Sequence, residues 1–453
     1  MREFREWGHK LIDWVADYLD SPGAYPVLSG VQPNDIINAL PPRGPDSGEP
    51  MEQIFADFER IILPGITHWN HPDFLAYFAI TASPPAILAE LLATALNANG
   101  ILWKTSPAVT ELEIVTVGWL RDWFGLPHDW FGMIHDTAST STLHALAAAR
   151  AYTVPELRDE GAPRNLIVYC SEQAHSSIEK GAMALGFGRK NVRKIGTDAE
   201  FRMRPELLAE QIVADRAAGL IPCCIVATVG TTSTTSIDPV PAIAAIANRE
   251  NIWLHVDAAY AGSAAVVPEF HWLLDGVGLA NSLVFNPHKW LLVPVDCSIL
   301  YTRDRAALRQ AFSLIPEYLE TADSGLNLMD YGIPLGRRFR ALKLWFVLRY
   351  YGRDGLADII RKQVAMAREF YLRIEADARF EISAPSPLSV VCFRLRGSDE
   401  ANRELLDRIN GTRRFFVSHT VLNGKFVLHV AIGNLWTAQA NIDELWRLVN
   451  SSI

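Results

Sequence analysis

From Asn165 onward, short runs rich in β-branched residues alternate with longer stretches that lack any strand period. No other feature limits the possible folds as tightly. The runs LIVYC (166–170), CCIVATV (223–229), WLHVDAA (253–259), SLVFN (282–286) and SILYT (298–302) read as buried strands. Stretches such as 205–218 and 239–250 read as helices between them. Strands spaced by helices predict an α/β protein whose mostly parallel central sheet is covered on both faces. In such sheets, functional groups collect in the crevice at the carboxyl ends of the strands.

The flanks follow a different grammar. Phe4, Trp7, Leu11, Trp14, Val15 and Tyr18 recur at a helical period over 3–20, after which prolines break regular structure as far as Pro50. A striped helix followed by irregular chain can bury its stripe only against something else, such as a partner subunit. Helical patterns return at about 52–63, 84–97, 108–124 and 140–152. Long helices are expected over 337–376, interrupted at Gly352. The tail mixes the strands VVCFRL and KFVLHVAI with helices at 400–410 and 437–450, a small α+β unit.

At 453 residues and 49% hydrophobic, the chain can bury a large core, and its net charge of -9 offers no overall positive field to nucleic acid or an anionic membrane. The apolar runs fall short of the ~20 residues that span a bilayer. Residues 1–20 lack a signal-peptide pattern. Five scattered cysteines without a CxxC predict buried free thiols, not a disulfide framework or a zinc site. The expectation is a cytoplasmic protein that works on small molecules without a metal.

Candidate chemistry sits at the ends of the predicted strands. Asn286-Pro287-His288-Lys289-Trp290 directly follows SLVFN. A lysine there loses hydration, which lowers its pKa and makes its amine a Schiff-base nucleophile; position alone favours a snorkelling surface lysine. Asp257 closes an apolar run about one strand–helix–strand step earlier, so acid and amine can meet over one crevice. Alone, that aspartate reads as a helix cap or an ion-pair partner. Together they suit pyridoxal phosphate, which needs a lysine for its Schiff base and a carboxylate to keep its pyridine nitrogen protonated. Asp136-Thr137-Ala138-Ser139-Thr140-Ser141-Thr142 precedes a helix, whose N-terminus can bind phosphate or simply be capped. His175 follows LIVYC, where an imidazole can lie over a planar ring, and Gly230-Thr231-Thr232-Ser233 follows CCIVATV. No GxGxxG, P-loop, HExxH or GxSxG motif competes.

These strings, with LPGITHWNHPDFLAYF, HVDAAYAGSA, FNPHKWLLVPVDCS and IPLGRRFRALKLWFVLRYYG, resemble the group II pyridoxal phosphate-dependent decarboxylases, specifically the aromatic L-amino-acid decarboxylases. The resemblance implies fold type I, the aspartate aminotransferase-like fold, in a homodimer. It divides the chain into a segment wrapping the partner (1–80), a large cofactor domain (81–335) and a helical connection with a small α+β domain (336–453). It implies that Lys289 carries the cofactor, Asp257 pairs with its ring nitrogen, and His175 stacks on the ring and assists proton traffic. Ala259 would pack on the opposite face and Thr232 beside the ring, with Ala138, Ser139, Asn286 and His288 at the phosphate. Trp69, Tyr77 and Ile101 would receive the substrate side chain. Gly336 joins them, because in related plant enzymes glycine there accompanies indole substrates and serine phenols. A mobile loop at about 318–332 would supply a proton-donating tyrosine, Tyr331 in preference to Tyr318. The implied reaction is α-decarboxylation of aromatic L-amino acids; the alternative on this scaffold is an oxygen-dependent aromatic aldehyde synthase.

Overall fold

The structure, a computed structural model, describes residues 1–314 and 325–453. Seven strands form the large sheet: β1 (Phe131–His135), β2 (Leu166–Ser171), β3 (Val192–Ile195), β4 (Ile221–Thr228), β5 (Trp253–Asp257), β6 (Ser282–Phe285) and β7 (Ser298–Thr302). Their spatial order is β1-β7-β6-β5-β4-β2-β3. Only β7 runs against its neighbours. Its connection from β6 contains just the short helix Pro287–Trp290, and a parallel return would need a longer crossover. The carboxyl ends of β1, β2, β4, β5 and β6 therefore lie along one edge.

Both faces of the sheet are buried, which explains the unbroken apolar runs. Ile167, Tyr169, Ile225, Ala227, Leu254 and Val256 enter one core cluster. Their neighbours Leu166, Val168, Cys170, Cys224, Val226 and Trp253 enter another, with Ala145, Ala148 and Ala149 of the helix Ala138–Thr153. The helix Arg340–Ala376 leads into the small sheet and breaks its helical geometry at Gly352, where φ is 65°. The small sheet holds β8 (Phe380–Ile382), β9 (Val390–Leu395), β10 (Ser418–Leu422) and β11 (Lys425–Ala431), antiparallel in the order β10-β11-β9-β8. A fold type I architecture is thus in place.

Four strands escape the sequence reading: β1, β3, β8 and β10. β3 is an edge strand that carries Arg193 and Lys194, so it has no apolar run to detect. β1 contains Gly132, where a Cβ would lie 2.2 Å from Val117 and 2.6 Å from Tyr301. That close approach, not strand propensity, dictates the residue.

The N-terminal helix Arg2–Asp20 buries none of its residues fully. Trp7 and Trp14 pack on Phe55, and Trp14 also meets Phe58, while Phe4 stays 69% exposed. Among the described residues no helix is long and apolar enough to cross a membrane.

Buried histidines give the fold an acid weakness. Burial pushes His71, His144, His255, His288 and His429 each down to about 4. As pH falls from ~6.5 to about 4 the unfolded chain takes up protons that these folded imidazoles refuse, so stability is lost. Burial raises Asp73 and Asp238 to about 6, and these two carboxyls oppose the loss over the same interval. The histidines outnumber them. The urea midpoint of the cofactor-free protein is expected to be lower at pH 5 than at pH 7; an equal or higher value at pH 5 would contradict this balance.

Candidate active site

The register sets the site. Thr228, Asp257 and Val284 are paired across β4, β5 and β6, so these strand ends are level. Asp257 is buried, and its Oδ1 accepts the Ala259 amide at 3.1 Å, which turns the chain away from the strand. Ala259 returns a bond through its carbonyl, which accepts the Asn286 amide at 3.0 Å. That bond ties the end of β5 to the turn that carries Lys289.

Lys289 lies in the one-turn helix Pro287–Trp290, with Nζ 5.0 Å from the centroid of Phe78. Burial lowers the pKa of its ammonium, and the nearby Asp257 charge partly restores it. Beneath this group, Phe78 stacks on Tyr260 at 3.9 Å and Tyr260 on Trp290 at 4.6 Å. Trp290 Nε1 donates to Gln363 Oε1 at 2.6 Å, so the stack is anchored to the helix leading to the small domain.

His175 stands beyond β2. Its Nδ1 accepts the Ser177 amide at 3.2 Å, which leaves the proton of the neutral ring on Nε2. Partial burial lowers its pKa; Asp257 pulls it up and Lys289 pushes it down. Lys289, Asp257 and His175 therefore share one electrostatic neighbourhood, although they come from three strand ends.

The other cofactor candidates line the same edge. The helix Ala138–Thr153 follows β1 and has no side-chain cap, leaving its first amides open to an anion. His288 is held through Nδ1, which accepts the Cys297 amide at 3.0 Å. The Asn286 side-chain oxygen is buried with no hydrogen-bond partner. An orphaned buried oxygen costs stability unless a donor reaches it, and turning the amide would offer its NH2 to the same space, so Asn286 fits a group from outside the chain. Thr232 is exposed after β4, in a loop that needs Gly230: φ there is 87°, and a Cβ would lie 2.6 Å from that of Ala261. Among the described residues no cluster of His, Cys, Asp or Glu could hold a metal ion.

The substrate candidates fall into two groups. Trp69 stacks on Tyr77 with centroids 6.1 Å apart, and Tyr77 directly precedes Phe78. Ile101 and Gly336 adjoin elsewhere, because the Gly100 amide donates to the Arg337 carbonyl and the Arg337 amide to Asn99 Oδ1, both at 2.9 Å. Arg337 is fixed in turn by a buried ion pair with Glu113.

Tyr331 does not join either group. It is buried, with its ring 4.8 Å from Phe131, and Arg305 Nε donates to its hydroxyl at 2.6 Å. Phe131 begins β1 and Arg305 follows β7, so both mark the sheet edge opposite Asp257. The expected proton donor is a core residue. Tyr318 lies outside the described residues. The sequence reading also missed Phe78, although it stands beside Tyr77 in the same quoted string.

A level row of strand ends offering a lysine, an acid, an imidazole and an open helix N-terminus defines a pyridoxal phosphate enzyme. The chain belongs to the group II pyridoxal phosphate-dependent decarboxylases, in the aromatic-L-amino-acid decarboxylase family. The "Pyridoxal-dependent decarboxylase conserved domain" matches residues 33–396. The aromatic-L-amino-acid decarboxylase of Rattus norvegicus is 43% identical, over 98% of this chain and 96% of its own length. The phenylacetaldehyde synthase of Arabidopsis thaliana is 41% identical, over 99% and 95%. The crystal structure of Oryza sativa TDC with PLP and tryptamine superposes with a TM-score of 0.96 at 38% identity, covering 100% of this chain and 98% of that one.

Proposed function

We propose that this protein removes the α-carboxyl group of aromatic L-amino acids, giving CO2 and the arylalkylamine. The convergence of Lys289, Asp257 and His175 beside the aromatic surface of Trp69, Tyr77 and Phe78 carries the reading. The rat relative and the rice structure with tryptamine support it.

When bound, pyridoxal phosphate supplies an electron sink for the bond that breaks. Lys289 would hold the cofactor through Nζ, and desolvation keeps that amine readily deprotonated. Asp257 would hold a proton at the ring nitrogen. His175 would cover one ring face with its Nε2–H toward the reacting carbon, Ala259 would back the other, and Thr232 would flank the ring. Ala138, Ser139, Asn286 and His288 would hold the phosphate.

In this reading the enzyme is a cytoplasmic homodimer divided at about residues 80 and 335. A second copy covers the N-terminal stripe and the exposed Leu88, Leu91, Leu92 and Leu96 of the helix Pro84–Leu96. Trp69, Tyr77, Ile101 and Gly336 then bound the substrate's ring.

The Arabidopsis relative favours a second reading, aromatic aldehyde formation. A panel of aromatic L-amino acids, followed for amine, aldehyde and peroxide together, separates the two. Amine alone supports the first reading, matched aldehyde and peroxide the second, and no turnover overturns both.

Gly336 bears on ring size. A Cβ there would come no nearer than 3.8 Å to Asn99, so serine fits the backbone and intrudes only on the space beyond it. Gly336→Ser is expected to lower kcat/KM for tryptophan about tenfold more than for tyrosine, the scale at which small groups alter pocket fit. Equal losses would remove Gly336 from the pocket.

A further inference from the structure

Residues 74–78 lie across the small domain: the Leu75 amide donates to the Phe416 carbonyl at 2.9 Å and the Ala431 amide to the Leu75 carbonyl at 2.8 Å. At the end of this segment Tyr77 adopts φ 53°, a left-handed conformation uncommon for an aromatic residue. Such a conformation persists only where its surroundings hold it. The Tyr77 amide donates to Ser418 Oγ at 3.0 Å, and Ser418 Oγ lies 3.2 Å from His429 Nδ1. His429 is 4% exposed, and its Nε2 has no well-formed hydrogen bond.

The imidazole faces two elements of the active site. Phe78, the ring beneath Lys289, meets it edge-on at 6.4 Å. The Thr232 carbonyl also acts on the ring, and its loop is tied to the strand that carries Ser418 by Thr420 Oγ1, which donates to Ser233 Oγ at 2.9 Å. Burial keeps the ring neutral against the pull of that carbonyl. In the tautomer with the proton on Nε2, Nδ1 accepts the Ser418 hydroxyl proton while Ser418 Oγ accepts the Tyr77 amide. The polarity agrees at every step. The mechanism above uses neither Ser418 nor His429.

We propose that Ser418 and His429 are a positioning pair that fixes Tyr77 and couples it to the Thr232 loop, so that the small domain shapes the pocket for the substrate ring. The proposal rests on the aromatic-substrate reading of the site.

Ser418→Ala in the holoenzyme removes the acceptor of the Tyr77 amide. The cofactor's visible absorption should stay unchanged, kcat should remain within about twofold, and KM for the preferred aromatic amino acid should rise about tenfold, as for loss of one buried hydrogen bond. The Tyr77 amide should exchange faster with deuterium. His429→Asn keeps a polar atom near the Nδ1 position and should retain most of the wild-type KM; His429→Leu should match Ser418→Ala. If Ser418→Ala does not fold, the two His429 variants decide the matter. A wild-type KM with unchanged exchange in Ser418→Ala, or equal KM values in His429→Asn and His429→Leu, would overturn the pair. A wild-type protein that turns over no aromatic amino acid would instead remove the substrate reading, and Tyr77 exchange would still test the pair.

Discussion

Lys289→Ala is expected to give a folded protein whose turnover is lower by about 10³-fold or more, the order that a positioned proton-transfer group contributes. The fold should tolerate the change. The short helix Pro287–Trp290 is held by the Asn286 and His288 bonds and by the buried Trp290, none of which involves the lysine side chain. The protein should still bind pyridoxal phosphate, because the open amides of the helix Ala138–Thr153, Asn286 and Asp257 are untouched. It should lose the visible band of lysine-bound cofactor, and borohydride should no longer fix the cofactor to the chain. Near-normal turnover, or cofactor still fixed by borohydride, would show that another amine carries the chemistry.

Much of this site was legible because its residues stand at strand ends, and strands buried on both faces announce themselves as unbroken apolar runs. Asp257 and Lys289 each close or follow such a run, and so do His175 and Thr232. What could not be read was the pairing. Thr228, Asp257 and Val284 are level only because β4, β5 and β6 are adjacent and parallel in that register. The placement of Tyr331 has the same root. Because β7 reverses direction, Arg305 and Phe131 meet at the far edge, and their pocket draws a tyrosine that looks like a loop residue in the sequence. Phe78 was hidden differently. Its place under Lys289 depends on small-domain strands more than 330 residues away, which hold the segment before it. The edge strand β3 was invisible for want of any apolar run.

Asp257→Asn should separate charge from shape. The asparagine side chain keeps an oxygen that can accept the Ala259 amide, so the turn after β5 should survive and the protein should fold. What disappears is the negative charge at a buried position, and with it the means of holding a proton at the cofactor's ring nitrogen. A preorganised electrostatic group of this kind is worth about 10²–10³ in kcat. Turnover is expected to fall by that order while the borohydride-fixed yield of cofactor stays near wild type, because Lys289 remains. The same substitution removes the one nearby charge that opposes desolvation at Lys289 and raises the pKa of His175. Both pKa values should therefore drop, and in cofactor-free protein Lys289 should react with an amine-directed reagent at lower pH than in the wild type. A variant that keeps its rate would show that the carboxylate is structural. One that loses its rate without any change in Lys289 reactivity would place Asp257 outside the electrostatic reach of the lysine.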